Sequence, residues 1–377
     1  MKVSGSAWIS KLRTFLANNR KGNGIRMKIL QLTFTYGNNF GGMMQAYALN
    51  KVLSDMGNDC YFLPFYPKPF ELPKQQLSAK GKILELFRRY KHRNYTKEWF
   101  SEFNHFLYER CQFAPYVDLN ALASIDKEYD MFLVGSDQVW SVQNYKNEYC
   151  LLKWVSEQSK RCSYAASLGN YSIRMNNDPV LDAIRNFGSI SFREEIDYCD
   201  AKRNGISCRL DIDPTFLIDR TEWEKLVKSN YRYLENYVTL FGYDNKSFKF
   251  AKAYAKKHKK KLVIVNYFGN RVFPGIGILN PPSPVDLLSV IRYSNCIVTH
   301  SYHVFIVSLN LNKRVFYSKI NNDKVSERFA TVVHHFELPN LETEAENMEI
   351  GVDWNRFNSR LAELRWDSME YLKGITK

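Results

Sequence analysis

Apolar residues along this chain keep a strand period for a few positions, then a helix period, and the alternation repeats to the end. Lys28 to Thr35 (K-I-L-Q-L-T-F-T) is a buried-strand pattern that runs into the glycine-rich stretch Tyr36 to Gly42. From Met43 to Met56 the apolar positions Met44, Tyr47, Ala48, Val52 and Met56 recur near helical spacing. Strand, glycine loop and helix in that order open a doubly wound fold. Strand signals return at Asp130 to Val134, Cys162 to Ser167 and Ile190 to Phe192, with a helix expected over Arg193 to Lys202. Ile212 to Ile218 then leads past Pro214 into a second series. Its strands are expected at Tyr237 to Phe241, Leu262 to Val265, Cys296 to Thr299 and Arg314 to Tyr317. Its helices are expected at Phe248 to Lys257, Val285 to Tyr293 and His303 to Leu311. Strands separated by helices of about ten residues predict parallel sheets with right-handed crossovers.

A chain of 377 residues exceeds what one hydrophobic core organises, so two α/β domains are expected. The division is a basic extension over 1–26, a first domain over 27–218, a second over 219–345, and a terminal segment over 346–377. Residues 67–120 break the rhythm with prolines, a basic helix and a Tyr/Phe-rich stretch, and are read as a helical insertion or lid. Asp353 to Leu372 is helical in pattern and is expected to pack back across the first domain.

No run of eighteen apolar residues is present, so nothing in the sequence spans a membrane. The N-terminal stretch has neither the continuous apolar centre nor the cleavage site of a secretion signal. Seven scattered cysteines without a C-x-x-C pair read as reduced thiols in a cytoplasmic protein without structural zinc. The net charge of +14 implies an anionic partner, yet seven cations, from Lys2 to Lys28, precede the first acidic residue. Two further clusters are Arg88 to Arg93 and Lys256 to Lys261, the second at an expected helix C-terminus, where cations oppose the negative end of the dipole. Anionic lipid headgroups or a lipid diphosphate fit this surface, and no zinc-finger spacing or RNA-binding aromatic signature favours nucleic acid. A peripheral contact with the inner membrane face follows as an expectation.

Four segments carry candidate chemistry, each at a strand end, where open α/β sheets bind ligands. In Gly37-Asn38-Asn39-Phe40-Gly41-Gly42, backbone amides at a helix N-terminus suit an anion, or the segment is an ordinary glycine turn. It matches neither the G-K-[ST] phosphate loop nor G-x-G-x-x-G, so ATP and NAD are not supported. In Gly135-Ser136-Asp137-Gln138, Asp137 either bonds sugar hydroxyls or caps a helix. In Thr299-His300-Ser301-Tyr302-His303, a histidine at the strand-to-helix turn suits proton transfer, with a structural role as the alternative. No third ligand accompanies the two histidines, so no metal is expected. In Ser191-Phe192-Arg193-Glu194-Glu195, Arg193 either grips a carboxylate or phosphate or pairs with Asp197 along a helix.

Taken in order, G-N-N-F-G-G-M-M-Q-A-Y-A-L, D-M-F-L-V-G-S-D-Q-V-W, S-Y-A-A-S-L-G, I-S-F-R-E-E, D-P-T-F-L and V-T-H-S-Y-H resemble the successive signature segments of the polysaccharide pyruvyl transferases, from Met27 to about Leu338. The resemblance implies the paired Rossmann-like domains of glycosyltransferase-B enzymes, facing a cleft. It implies transfer of a pyruvyl group from phosphoenolpyruvate to two hydroxyls of a capsule, exopolysaccharide or wall-polymer sugar, free or lipid-linked, with no cofactor. His303 is then the proton-transfer residue and Arg193 a phosphoenolpyruvate anchor. Gly41, Gly42 and Arg328 join Arg193 on the donor, and Ser301 lies in the same turn. Asn38, Asn39, Ser136, Asp137 and Gln138 are placed around the substrates, chiefly on the acceptor side. Val304 and His300 depart from the family pattern, which keeps a silent glycan-binding homologue open beside a nucleotide-sugar glycosyltransferase.

Overall fold

The computed structural model describes residues 26–37, 39–66, 102–141, 147–173, 178–265, 273–319 and 323–377. The first sheet contains β1 (Lys28–Leu32), β2 (Asp59–Phe62), β3 (Gln112–Phe113), β4 (Met131–Val134) and β5 (Arg161–Ser163), in the order β3-β2-β1-β4-β5. All its pairings are parallel. Helix α1 (Phe40–Asp55) follows β1. A two-stranded parallel addition, β6 (Ser191–Phe192) with β7 (Arg209–Leu210), continues the sheet through the bridge Ala166 to Phe192. Between β6 and β7 runs α2 (Glu195–Arg203).

The second sheet has the same parallel winding in β8 (Tyr237–Phe241), β9 (Lys261–Val265), β10 (Gly277–Leu279), β11 (Cys296–Thr299) and β12 (Val315–Tyr317), in the order β10-β9-β8-β11-β12. Its helices are α3 (Asn245–Lys257), α4 (Pro284–Tyr293), α5 (Tyr302–Asn310) and α6 (Asp323–His335). A terminal helix, α7 (Trp354–Ile375), closes the chain.

The inner strands β1, β4, β8 and β11 are buried on both faces apart from the first residues of β1 and β8. Burial on both sides suits parallel strands flanked by helices, and explains their apolar runs. Helix α1 is buried almost all round because it packs against α4 and α5 of the second domain as well as its own sheet. One continuous apolar core therefore includes Ile29 and Met44, Leu288 and Phe305, and Leu361 and Leu372. Helix α7 lies on the first domain: Tyr371 donates to the Ser163 carbonyl at 2.9 Å, and Ser368 to Asp211 Oδ1 at 2.8 Å.

Several boundaries differ from the sequence expectation. Gln112–Phe113, which the sequence places in an insertion over 67–120, is the edge strand of the first sheet and pairs with Tyr61 and Phe62. Two residues give no period to read, so the pattern does not reveal it. The strands Asp59–Phe62, Arg209–Leu210 and Gly277–Leu279 are likewise additions to the expected set. The helix expected from Arg193 starts at Glu195, leaving Arg193 at the strand end. Apart from Arg26, whose guanidinium pairs with Asp59, the basic extension lies outside the described residues, as do the Arg88 to Arg93 cluster and Asn38. Lys256 and Lys257 occupy the last turn of α3, where Lys257 pairs with Glu349 at 2.6 Å. All seven cysteines are unpaired thiols. Among the described residues no helix is long and apolar enough to cross a membrane.

Candidate active site

Two helix N-termini, one from each domain, meet in the cleft. His303 is the second residue of α5 and Gly41 the second residue of α1. The imidazole lies flat against the glycine: a Cβ at position 41 would stand 2.0 Å from His303 Nδ1 and 2.2 Å from its Cγ. Only glycine permits this approach. The other face of the loop is fixed by Asn39, which caps α1 by accepting from the Gly42 amide at 3.2 Å.

His303 is 7% exposed, and its Nε2 lies 3.4 Å from Asp213 Oδ2. That is close enough for charge attraction but not aligned as a hydrogen bond, and the nitrogen has no hydrogen-bond partner. Asp213 is fully engaged. Its Oδ1 accepts from the Thr215 amide at 2.9 Å and the Thr215 hydroxyl at 2.8 Å. Its Oδ2 accepts from Arg193 Nη1 at 3.1 Å. Burial alone would raise the Asp213 carboxyl, but His303, Arg193 and the Thr215 amide outweigh it and hold it down at about 2, from the usual 3.8. Asp213 thus stays ionised and holds its negative charge beside the imidazole.

A depressed carboxyl stabilises the fold above its unfolded value, and the contribution fades as pH falls through its folded value. About 2 kcal/mol is at stake. The advantage of the wild type over Asp213→Asn in urea unfolding is therefore expected to be full above pH 4 and to shrink towards pH 2. An advantage independent of pH across that interval would show that the charge of Asp213 is not what the fold uses.

Arg193 leaves β6 directly into the cleft, its amide held by the Ala166 carbonyl at 3.0 Å. The residue is 2% exposed, and its guanidinium is ringed by carboxylates. Nε donates to Glu194 Oε1 at 2.8 Å and Nη1 to Asp213, while Nη2 faces Asp137 Oδ1 at 3.7 Å. Burial would lower its pKa, but Glu194, Tyr302, Asp213 and Asp137 together hold it well above the usual value. The fork expected to grip a donor anion is thus largely occupied: only Nη2 lacks a partner. The alternative pair with Asp197 does not form either, since Asp197 accepts from the Leu168 amide at 2.9 Å.

Arg328, on α6, is a second cation of the cluster, with Glu194 and Asp137 acting on it at longer range. Its guanidinium carbon stands 5.8 Å from the centre of the Tyr302 ring, and that of Arg193 stands 4.8 Å from the same ring. No hydrogen bond or ion pair joins Arg328 to any described residue. Burial and the neighbouring charge of Arg193 lower its pKa. A guanidinium in that position gains most from an incoming anion.

The remaining predicted residues divide. Asp137, at φ 73°, turns out of β4 to face Arg193. Ser136 is buried, its hydroxyl donating to the Ala165 carbonyl at 2.5 Å. Gln138 rests against Gly169, where a Cβ would lie 3.0 Å from its Oε1. Ser301 begins α5 half-buried, with no side-chain cap. Asn39 is an exposed cap. His300, a departure from the family pattern, packs away from His303 over Gly242, with Nδ1 3.7 Å from Asp244 Oδ2. Sequence reasoning missed Asp213, Glu194 and Tyr302. The D-P-T segment carries the signal for Asp213, but reads equally as a passage between domains. Among the described residues, no cluster of three or more His, Cys, Asp or Glu side chains is placed to hold a metal ion.

The arrangement joins a proton-transfer group, an ionised partner for it, a guanidinium with no hydrogen bond to the described residues and two helix N-termini, around three buried polar atoms without hydrogen-bond partners. Those atoms are Arg193 Nη2, Glu194 Oε2 and His303 Nε2. Buried polar groups in native structures are nearly always paired, so their convergence marks where a ligand belongs.

Comparison with known proteins identifies the family and the fold. The family model for polysaccharide pyruvyl transferase matches residues 39–320. No curated protein sequence matches the chain. Among solved structures, UDP-GlcNAc 2-epimerase from Neisseria meningitidis, bound to UDP-GlcNAc, is similar with a TM-score of 0.55 and 10% identity, covering 92% of this chain and 100% of that one. A putative UDP-N-acetylglucosamine 2-epimerase from Listeria monocytogenes gives 0.53 and 11%, over 90% and 91%. The Methanocaldococcus jannaschii UDP-GlcNAc 2-epimerase gives 0.51 and 11%, over 92% and 100%. The likeness is one of fold, the paired Rossmann-like architecture of glycosyltransferase-B type.

Proposed function

The chain belongs to the polysaccharide pyruvyl transferase family, and from that premise we propose that it transfers the pyruvyl unit of phosphoenolpyruvate to two hydroxyls of a surface-polysaccharide precursor. The observation that carries this reading is Arg328, without a hydrogen bond or ion pair to any described residue, beside three buried polar atoms that lack hydrogen-bond partners in the interdomain cleft. Forming the ketal adds two sugar oxygens to C2 of the donor. Of the two hydroxyl protons, one ends on C3, turning CH2 into CH3, and the other leaves with phosphate. Every step moves a proton, and the ionised Asp213 3.4 Å from Nε2 of His303 supports His303 as the group that carries it.

The donor is a small polyanion, and its negative groups need prearranged positive charge. Arg328 supplies a guanidinium with no hydrogen bond or ion pair to a described residue, and the N-termini of α1 and α5 add their dipoles. Calorimetric titration tests this directly. Phosphoenolpyruvate is expected to bind the wild type, with affinity falling at least tenfold in Arg328→Ala, roughly the worth of one charge-assisted contact. UDP- and GDP-sugars are expected not to bind. Nucleotide-sugar binding without phosphoenolpyruvate binding would replace this reading by a glycosyltransferase, and silence towards both would leave a glycan-binding homologue. The cytoplasmic setting and a lipid-linked acceptor met at the membrane surface belong to the same proposal.

A further inference from the structure

Glu194 has no role in the chemistry above, yet it is 3% exposed and half satisfied. Its Oε1 accepts from Arg193 Nε at 2.8 Å, while Oε2 is buried with no donor in reach. On the other half of the same ion pair, Arg193 Nη2 is a buried donor with no acceptor at hydrogen-bond distance, Asp137 Oδ1 standing 3.7 Å away. The pair therefore presents one orphaned acceptor and one orphaned donor. Each is costly while it remains unmet, because it has given up water and gained no hydrogen bond in exchange.

Ligand chemistry separates sharply at such an edge. A carboxylate or phosphate offers acceptors, which would satisfy Nη2 but leave Oε2 unmet and set like charges together. A hydroxyl both accepts and donates, so it satisfies both atoms. Charge points the same way. Asp137, Asp213 and Glu194 surround Arg193 with three carboxylates at 2.8 to 3.7 Å, whereas Arg328 forms no hydrogen bond or close ion pair with a described residue and feels Glu194 and Asp137 only at longer range. A polyanion seated against Arg193 would meet net negative charge.

Building on the proposed pyruvyl transfer, we infer that the Arg193–Glu194 pair is a sugar-hydroxyl site: Glu194 Oε2 accepts from an acceptor hydroxyl, Arg193 Nη2 donates to it, and the donor substrate is held on the Arg328 side. Discrimination follows from this placement. A sugar lacking the recognised hydroxyl leaves both buried groups unpaired, which is the costliest way to misfit a polar site. Arg193 here contacts the acceptor, where the family resemblance had set it on phosphoenolpyruvate.

The test compares wild type with Glu194→Gln in two measurements, after melting curves confirm folding. In calorimetry with phosphoenolpyruvate, the variant is expected to bind as tightly as wild type or roughly three- to tenfold more tightly, because one negative charge near the anion has gone. In saturation-transfer NMR with the methyl pyranosides of glucose, galactose and mannose, at least one sugar is expected to show contact with the wild type and to lose it in the variant. Weaker phosphoenolpyruvate binding by Glu194→Gln overturns the inference, as does sugar contact that persists undiminished or is absent from the wild type. Failure of the wild type to bind phosphoenolpyruvate overturns the donor assignment instead, and the sugar measurement still decides the role of Glu194. Should Glu194→Gln not fold, Glu194→Asp keeps the charge beside Arg193, withdraws the reach, and reports the same loss of sugar contact.

Discussion

Gly41→Ala should abolish turnover about as thoroughly as His303→Ala, although residue 41 carries no reactive group. The added methyl would stand 2.0, 2.2 and 2.7 Å from Nδ1, Cγ and Cβ of His303. Those are atoms near the root of a buried side chain that starts a helix, so the ring cannot swing aside and remain over Asp213. Loss of general acid–base catalysis costs roughly 10²- to 10⁴-fold, and both variants are expected to fall within that range. Measured turnover, beside calorimetry with phosphoenolpyruvate, checks it. Gly41→Ala with wild-type activity largely retained would mean that the domains part enough to relieve the contact, and that His303 is not held where the reaction needs it.

Arg193→Ala is expected to weaken the fold before it tells anything about binding. Its guanidinium is the counter-charge for Glu194 and Asp213 and lies 3.7 Å from Asp137. Removing it strands buried carboxylates, and breaking such a pair from one side costs about 3–5 kcal/mol. Arg193→Lys should recover little, because one ammonium cannot reach partners that a planar fork spans. Denaturant unfolding measures the loss. Adding Glu194→Gln to Arg193→Ala should restore part of it, since the stranded charge is then gone. A loss below about 1 kcal/mol, typical of exposed pairs, would show that solvent reaches the cluster. Lost ligand binding in Arg193→Ala is for this reason weak evidence about the donor, and Arg328 is the better probe.

The fold was legible in the sequence wherever burial was symmetrical. Strands such as Met131–Val134 and Cys296–Thr299 are buried throughout because both faces are covered, and they punctuate the chain clearly. Edge strands of two or three residues, Gln112–Phe113 and Gly277–Leu279, leave no such trace. The site was legible as a set of strand ends, which fixed the neighbourhood of Arg193, His303 and Asp137. What could not be read was which groups are spent on one another. Asp213 engages both Arg193 and His303, which come from different domains, and only tertiary approach brings the three together. That Arg193 is nearly saturated while Arg328 is not depends on carboxylates from three separate segments.

Helix α7 gives the molecule an order of assembly. Arg365 bonds the carbonyls of Phe216 at 2.6 Å and Ile218 at 3.4 Å, and Ser368 and Tyr371 reach Asp211 and Ser163. The first domain thus receives a structural wall from residues synthesised after the whole second domain. Emerging from the ribosome, the first half must wait with that face of its core uncovered, a state in which exposed apolar surface invites aggregation. Severing the chain between the domains would therefore yield an unfinished half, whose missing piece lies at the far end of the other fragment.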